Sequence, residues 1–217
     1  MAKNISKRDY RCHAHTNPFR DSQLGIPQSP SDVDWSKHFE NGEEPTFLDI
    51  GCGYGKFLME TAKKYPTENI LGIEIRDKVY EYVRQKSETI ENCGIIKSNA
   101  LLFLPNYFRP NSLKKIFVLF PDPHFKKRKQ KGRIICKQMM QVLKYLLRED
   151  GDLYVSTDVK ELYQDMCKTI TESKCFSEKK EIEQDELLEM CHKNTDEANR
   201  AGIKSGHTFG KVFRVIK

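Results

Sequence analysis

From Thr46 onward, short apolar runs alternate with longer segments whose apolar positions recur at helical spacing. Five apolar runs predict strands: TFLDI (46–50), NILGIEI (69–75), GIIKSN (94–99), KIFVLFP (115–121) and GDLYVSTD (151–158). The segments between and after them predict helices over 56–65, 77–92, 134–150 and 159–171. Strands that alternate with helices indicate a mainly parallel sheet with right-handed crossovers. We expect the most apolar run, 115–121, at the centre of that sheet, and Asp77 as the cap of the second helix.

The flanks of this alternating region differ from it. Residues 1–45 are poor in large aliphatic side chains and rich in Pro, Ser, Asn, Asp and Arg. This composition predicts an N-terminal arm or cap and leaves 46–217 as a single domain. Residues 177–197 are acidic, and no helix is predicted there. The last segment, TFGKVFRVIK (208–217), alternates apolar and polar residues, so the tail is expected to add antiparallel edge strands to an α/β fold.

The composition excludes several other classes of protein. No run approaches the roughly 18 apolar residues of a membrane span, and residues 1–21 lack the apolar core of a signal peptide. The seven cysteines are an odd number without a C-x-x-C pair, which favours reduced thiols over disulfides or a metal site. We therefore expect a soluble intracellular protein that holds no metal.

Positive charge is concentrated in one short segment. The chain has 37 Lys and Arg against 31 Asp and Glu, a formal net charge of +6. Seven basic residues and no acidic one fall within 125–137: Lys126, Lys127, Arg128, Lys129, Lys131, Arg133 and Lys137. The rest of the chain holds 30 basic and 31 acidic residues. A solvated charge run is the usual explanation of such a cluster. Because this cluster directly follows the fourth predicted strand, a polyanionic substrate is the better explanation.

Polar or flexible residues follow all five predicted strands. Ligands of open α/β sheets bind outside the carboxyl ends of the strands, so we expect these residues to form one site. The first strand leads into G-x-G-x-G at Gly51, Gly53 and Gly55, which lets a nucleotide-like ligand approach the backbone closely. A dinucleotide fingerprint would place a small residue at Lys56, whereas S-adenosylmethionine has no pyrophosphate and does not need one. Glu74 can accept hydrogen bonds from the ribose hydroxyls of either cofactor.

The fourth predicted strand ends in Pro121-Asp122-Pro123. Proline fixes φ and lacks an N–H, so the two prolines are expected to hold Asp122 rigidly at the mouth of the site. An ordinary turn or helix cap is the plainer alternative. The cations that follow favour a functional carboxylate beside a polyanion.

Taken in order, the motifs at the predicted site resemble those of one family. DIGCGYGKFL, LGIEIR, SNA, FPDPHFKKRKQKGRII and STDV are similar to the motifs of the tRNA (guanine-N7-)-methyltransferases. The similarity runs from Phe47 to Asp158 and resumes at 195–202 and 209–216. RCHAHTNPF and DVDW resemble the amino-terminal arm of the eukaryotic branch. PDPHFK with its basic run is the specific part, because the glycine motif is shared with methyltransferases at large.

This resemblance implies a Rossmann-like class I fold that binds S-adenosylmethionine and methylates N7 of a variable-loop guanosine in tRNA. It also implies a heterodimer with a WD-repeat β-propeller protein, and a nuclear location with the cytoplasm as a second one. The cofactor-binding positions carried over are Gly51, Gly53, Glu74, Ile75, Arg76, Asn99, Ala100, Leu119, Thr195 and Glu197. The catalytic position is Asp122. The substrate-binding positions are Lys126 and Asp158, and six cations are expected to contact tRNA phosphates: Lys126, Lys127, Arg128, Lys129, Lys131 and Arg133.

Two departures from the family pattern concern this site. Gly132 stands where many eukaryotic relatives carry tryptophan, which affects the conformation expected of the basic loop. Residues 194–197 reproduce the bacterial carboxyl-terminal motif only in part, which affects the role expected of Thr195.

Three other functions compete with this interpretation. A methyltransferase of another substrate class has no need of seven cations beside its aspartate. A nucleic-acid-binding subunit with a vestigial cofactor fold need not keep the glycines, Glu74, Asp122 and Asp158. An NAD-dependent enzyme is disfavoured by Lys56.

Overall fold

The fold is that of a computed structural model, which describes residues 5–11, 25–124, 132–180, 185–193, 195 and 207–217. The strands in these ranges are β1 (Phe47–Ile50), β2 (Ile70–Glu74), β3 (Cys93–Lys97), β4 (Leu113–Leu119), β5 (Leu147–Thr157), β6 (Phe176–Glu178) and β7 (Phe209–Val215). The α-helices are α1 (Lys56–Lys64), α2 (Asp77–Ser87), α3 (Ala100–Tyr107), α4 (Lys137–Leu146), α5 (Lys160–Glu172) and α6 (Glu186–Lys193). Two short 3-10 helices, Pro30–Asp32 and Trp35–Lys37, precede β1. None of the helices in the described ranges is long and apolar enough to span a membrane.

The seven described strands form one sheet in the order β3-β2-β1-β4-β5-β7-β6. The first five strands in this order are parallel, whereas β7 runs antiparallel to both β5 and β6. The apolar run that forms β4 lies at the centre, as predicted, and the α/β fold with an antiparallel carboxyl-terminal edge is confirmed. Because the five parallel strands share one direction, their carboxyl ends lie along one edge of the sheet.

Several boundaries differ from the prediction, most of all at the end of α2 and where α4 meets β5, and so does the cap of α2. α2 ends at Ser87, earlier than expected, where the Ser87 hydroxyl donates to a carbonyl one turn back (2.9 Å). α4 ends at Leu146, and β5 begins immediately at Leu147, because Leu147 pairs with Leu113 of β4 before a register shift. Asp77 does not cap α2; it lies in the first turn, and the N-cap residue is Arg76.

The sequence pattern does not predict α3 or α6. α3 contains Pro105, which weighs against a helix interior, but Asn99 caps the helix by accepting a hydrogen bond from the Leu101 amide (3.1 Å). α6 lies in the acidic segment, where Asp185 accepts hydrogen bonds from two first-turn amides (3.1 Å each). In both helices a side-chain cap at the start satisfies amides of the first turn.

Helices cover both faces of the sheet. α3, α4 and α5 pack on one face, where Leu104 and Met140 are fully buried. α1, α2 and α6 pack on the other face, where Leu58 and Val83 are fully buried. The result is a three-layer arrangement in which the sheet is the middle layer.

Part of the predicted N-terminal arm packs against this domain. Trp35 and Phe39 are buried in the core, and the ring of Trp35 stacks 6.0 Å from that of Phe108. Nearer the N-terminus, the ring of Tyr10 meets that of Tyr82 in α2 at 5.6 Å. The boundary between arm and domain after residue 45 stays a prediction.

One buried carboxylate joins three strands. Asp152 of β5 is 2% exposed and accepts hydrogen bonds from Arg214 of β7 (2.6 Å), Lys179 (3.0 Å) and Lys115 of β4 (3.4 Å). Burial by itself would raise the pKa of Asp152, but the bonds from Arg214 and Lys179 and the charge of Lys115 outweigh it and lower the pKa. A lowered pKa means that the ionised carboxylate stabilises the fold above the unfolded pKa, and that this contribution is lost as the pH falls through the folded pKa.

We expect Asp152→Asn to lower the free energy of unfolding at neutral pH by about 2 kcal/mol, because three cations lose their common counter-ion. The cations keep 24–39% of their side-chain surface exposed, which limits the loss. Urea unfolding followed by circular dichroism measures this change. Asp150→Asn, which removes an exposed ion pair with Arg148, is the control and should cost at most about 0.5 kcal/mol.

The pH dependence gives a second readout of the same variant. The stability of the wild type should fall more steeply than that of Asp152→Asn as the pH drops from about 5 to about 2. Parallel losses over that range would contradict the role given to the carboxylate.

Candidate active site

The chain turns sharply after β1 at the glycine motif. Gly51, Gly53 and Gly55 have φ values of +76°, +55° and +72°, a region that residues with a Cβ rarely adopt. The amide of Gly51 donates to the Ile73 carbonyl of β2 (2.8 Å), which ties the turn to the neighbouring strand. A Cβ at Gly51 would meet nothing within 4 Å, whereas a Cβ at Gly55 would lie 2.9 Å from Val83 of α2. Gly51 therefore faces open space, and Gly55 is a packing position.

Glu74, at the end of β2, is held by several hydrogen bonds. It is 3% exposed, and its Oε1 accepts from the amides of Ile75 (2.8 Å) and Arg76 (2.9 Å). The guanidinium of Arg76 donates to Oε1 (3.0 Å) and Oε2 (2.7 Å), and it lies 3.8 Å from where a Cβ of Gly53 would stand. These bonds fix the orientation of the carboxylate. Oε2 accepts one of these bonds, and a carboxylate oxygen has two lone pairs.

The end of β3 adds a fixed amide. Asn99 is 2% exposed, and the bond from Leu101 to its Oδ1 makes Ala100 the first residue of α3. The amide of Ser98 donates to the Glu74 carbonyl (3.2 Å), which links the ends of β2 and β3. The predicted cofactor positions on the first three strands are thus neighbours along one edge.

A narrow cavity of about 20 Å³ lies at the ends of β1 and β4. Three predicted residues line it: Gly51, Leu119 and Thr195. Thr195 is 5% exposed and lies beside the glycine turn in this wall, while Glu197 lies outside the described residues. Four wall residues are not among the predicted site residues: Asp49, Cys52, Lys56 and Phe57. The sequence could have indicated Asp49, because it is an acidic residue within an apolar run. In the structure it is buried in β1.

β4 ends at Leu119, and Pro121-Asp122-Pro123 follow after Phe120. Phe120 and His124, on either side, have φ values of +49° and +45°, which are uncommon for residues other than glycine. The amide of Phe120 donates to the Ser156 carbonyl of β5 (2.8 Å), and the amide of His124 donates to Oδ1 of Asp122 (3.1 Å). The side chain of Asp122 is 28% exposed. Its carboxylate is therefore oriented by the backbone and still accessible.

Arg133 contacts this segment from the far end of the basic run. Its Nε and Nη2 donate to the Pro123 carbonyl (2.9 and 2.6 Å), and its Nη1 donates to Asp165 of α5 (2.6 Å). The side chain of Arg133 is 16% exposed. The residue expected to bind phosphate thus has two partners within the chain, and its contact with tRNA stays a prediction.

The other predicted substrate-binding residues are only partly described. Asp158 directly follows β5 and is exposed. Lys126, Lys127, Arg128 and Lys129 lie outside the described residues. Their roles in binding tRNA stay predictions.

Cys52, the cysteine of the glycine turn, is not activated. Burial raises the pKa of Cys52 well above its usual value, and the carboxylates of Asp49 and Glu74 raise it further. A thiol that stays protonated at neutral pH is a poor nucleophile. Within the described ranges, no group of three or more His, Cys, Asp and Glu side chains is placed to hold a metal ion.

The strand ends fit S-adenosylmethionine. Gly51 leaves open space beside the turn, and Glu74 and Asn99 hold fixed polar groups next to it. The 20 Å³ cavity has room for about one water, so it does not by itself accommodate the cofactor. Fold and site together define a Rossmann-like, S-adenosylmethionine-dependent methyltransferase.

Comparison with known proteins agrees with this class and narrows it to a family. KamB, a 16S rRNA methyltransferase, shares the fold with a TM-score of 0.59 at 14% identity, over 80% of this chain and 89% of that one. A SAM-dependent methyltransferase from Aquifex aeolicus has a TM-score of 0.55 at 14% identity, over 87% and 95% of the two chains. A family model described as a putative methyltransferase matches residues 43–211.

Curated relatives are closer in sequence. The tRNA (guanine-N(7)-)-methyltransferase of Caenorhabditis elegans is 38% identical over 96% of this chain and 87% of the relative. The enzymes of the same name from Candida glabrata and Arabidopsis thaliana are 38% and 36% identical, over 96% and 97% of this chain and 80% and 91% of their own. The chain belongs to the tRNA (guanine-N7-)-methyltransferase family.

We expect Gly51→Ala to weaken S-adenosylmethionine binding at least about tenfold, because its Cβ would enter the open space beside the turn. The positive φ should cost the fold only about 1–2 kcal/mol. Gly55→Ala is the matched control: its φ is also positive, but its Cβ would collide with Val83, so it should lower stability more and affinity less. Calorimetry measures affinity and thermal unfolding measures stability. Equal losses of affinity would show that the open face of Gly51 is not what binds the cofactor.

Proposed function

We propose that this chain transfers a methyl group from S-adenosylmethionine to N7 of a variable-loop guanosine in tRNA. The observation that carries the proposal is the fixed presentation of Asp122 at the edge where the cofactor positions meet, directly before a run of seven cations. Relatives that align with nearly the whole chain bear the name of this activity.

The methyl transfer does not require the protein to act as a base. Guanine N7 carries a lone pair and no proton, so no base is needed to form the nucleophile. S-adenosylmethionine, when bound, supplies a methyl group already activated by its sulfonium. What remains for the protein is to align the two groups, which can account for much of a barrier, and to provide a suitable electrostatic setting. Gly51, Glu74 and Asn99 would hold the cofactor at the strand ends for this purpose.

Asp122 would provide part of that electrostatic setting. An ionised carboxylate only accepts hydrogen bonds, so Asp122 would accept from the guanine N1/N2 edge or from the methionine amine, and Asp158 would take the other task. In either case its negative charge offsets the positive charge that develops on the methylated ring. The bond from the His124 amide orients Asp122 before any substrate arrives (3.1 Å).

The basic run would bind the RNA backbone. Lys126, Lys127, Arg128 and Lys129 would contact phosphates, and such contacts position a nucleic acid without reading its sequence. Binding should accordingly weaken as salt rises.

We further propose a WD-repeat β-propeller partner and a nuclear location, which rest on the resemblance to the eukaryotic branch. Co-expression with such a propeller, followed by size-exclusion chromatography, tests the partner. Elution of the two chains as separate species would contradict the heterodimer. Imaging of a tagged chain tests the location, and a signal confined to the cytoplasm would contradict it.

The activity is tested with labelled S-adenosylmethionine and an unmodified tRNA transcript, with and without the propeller. We expect label in the RNA and chain cleavage at a variable-loop N7-methylguanosine. Label at any other atom would overturn the proposed reaction.

We expect Asp122→Asn to lower the single-turnover rate of methyl transfer at least about 100-fold, because the substitution keeps the shape of the side chain and removes its charge. Affinity for tRNA should stay within about twofold of the wild type, since the phosphate contacts are intact. Asp150→Asn, which changes an exposed carboxylate at the amino-terminal end of β5, serves as the matched control. A wild-type rate in Asp122→Asn, with normal tRNA binding, would exclude the assigned role.

A further inference from the structure

The backbone around Asp122 adopts a conformation that its own sequence does not favour. Phe120 and His124 both have positive φ values, +49° and +45°. Such conformations cost free energy for residues with a Cβ and persist only where surrounding contacts impose them. Two such residues so close together indicate that something outside the segment holds it in place.

The segment has few donors with which to hold itself. Pro121 and Pro123 carry no N–H. The amide of Phe120 is used on the carbonyl of Ser156, and that of His124 on the carboxylate of Asp122. The first bond fixes the start of the segment to β5, and the second is internal to it. The Pro123 carbonyl, at the end of the segment, accepts from a donor elsewhere in the chain.

Arg133 supplies that donor. Its Nε and Nη2 converge on the carbonyl of Pro123, the residue next to Asp122, at 2.9 and 2.6 Å. Its Nη1 donates to Asp165 at 2.6 Å, which anchors the guanidinium to α5. A planar guanidinium can make all three bonds at once, whereas a lysine ammonium cannot reproduce this fork. With 16% of its side chain exposed, Arg133 has little surface left for a phosphate.

We infer that Arg133 is a positioning residue for methyl transfer: it fixes the backbone that presents Asp122, instead of neutralising a tRNA phosphate. The inference rests on the proposed function of the same site. It assigns to Arg133 a role different from that of the other cations in the run.

The test compares Arg133→Lys and Arg133→Gln with the wild type in two measurements. One is the single-turnover rate of methyl transfer at saturating tRNA and S-adenosylmethionine. The other is the slope of log Kd for tRNA against log salt concentration. Each phosphate contact contributes about 0.7–0.9 to that slope. Arg128→Gln, which removes a predicted phosphate contact, shows that the slope responds to the loss of one cation.

A positioning role predicts that both Arg133 variants lose at least about tenfold in rate, because neither can make the fork. It also predicts that both keep the wild-type salt slope, because no phosphate contact has been removed. Melting temperatures show whether the variants are folded. If Arg133→Gln does not fold, the rate and the salt slope of the milder variant Arg133→Lys decide between the two roles.

Two results would overturn the inference. One is a wild-type saturating rate in both variants, with a smaller slope in Arg133→Gln only, which is the behaviour of a phosphate contact. The other is a salt slope in Arg133→Gln that is reduced as far as in Arg128→Gln, whatever the rate, because it would show that Arg133 neutralises a phosphate. If wild-type protein transferred no methyl group, the proposed function would fail, and the salt slopes would still decide whether Arg133 binds phosphate.

Discussion

Hydrogen bonding between parallel strands makes β1, β2, β3, β4 and β5 end at one edge of the sheet. Beyond this edge the backbone no longer pairs with a neighbouring strand. Its buried N–H and C=O groups therefore need other hydrogen-bond partners. The Ile73 carbonyl accepts a hydrogen bond from the Gly51 amide, and the Glu74 carboxylate accepts from the amide of the next residue. Asn99 caps α3. The side chains and turns that finish the strands are therefore the same groups that present polar atoms and open space to a ligand.

The periodicity of the sequence accounts for the sheet better than for the helices at its margins. Strands buried on both faces read as apolar runs, so the five parallel strands and the central place of β4 follow from the pattern. α3 and α6 do not follow, because Pro105 and the acidic segment carry contrary local signals. Their formation depends on caps from Asn99 and Asp185 and on packing against the rest of the fold.

The candidate site also contains some residues that the sequence predicts and others that it does not. Gly51, Glu74 and Asn99 can be predicted, because each is a residue type with a specific chemical property at the end of a strand. The wall residues Lys56 and Phe57 cannot, because they follow the turn on α1 and face the cavity only as a result of helix packing. The partners of Arg133 are also hidden from the sequence, since Pro123 and Asp165 lie 10 and 32 residues away and no local pattern joins them.

The basic run shows why a count of cations differs from a count of phosphate contacts. Salt-dependent affinity scales with the phosphates that are neutralised, and a guanidinium already bonded to the Pro123 carbonyl and to Asp165 contributes little to that number. The same guanidinium still adds to the local positive potential that attracts an RNA. One run of charge can thus draw the substrate towards the strand ends and, through Arg133, keep the carboxylate at those ends in a fixed position. Attraction tolerates exchange among lysine and arginine, whereas the fixed position depends on the geometry of one guanidinium.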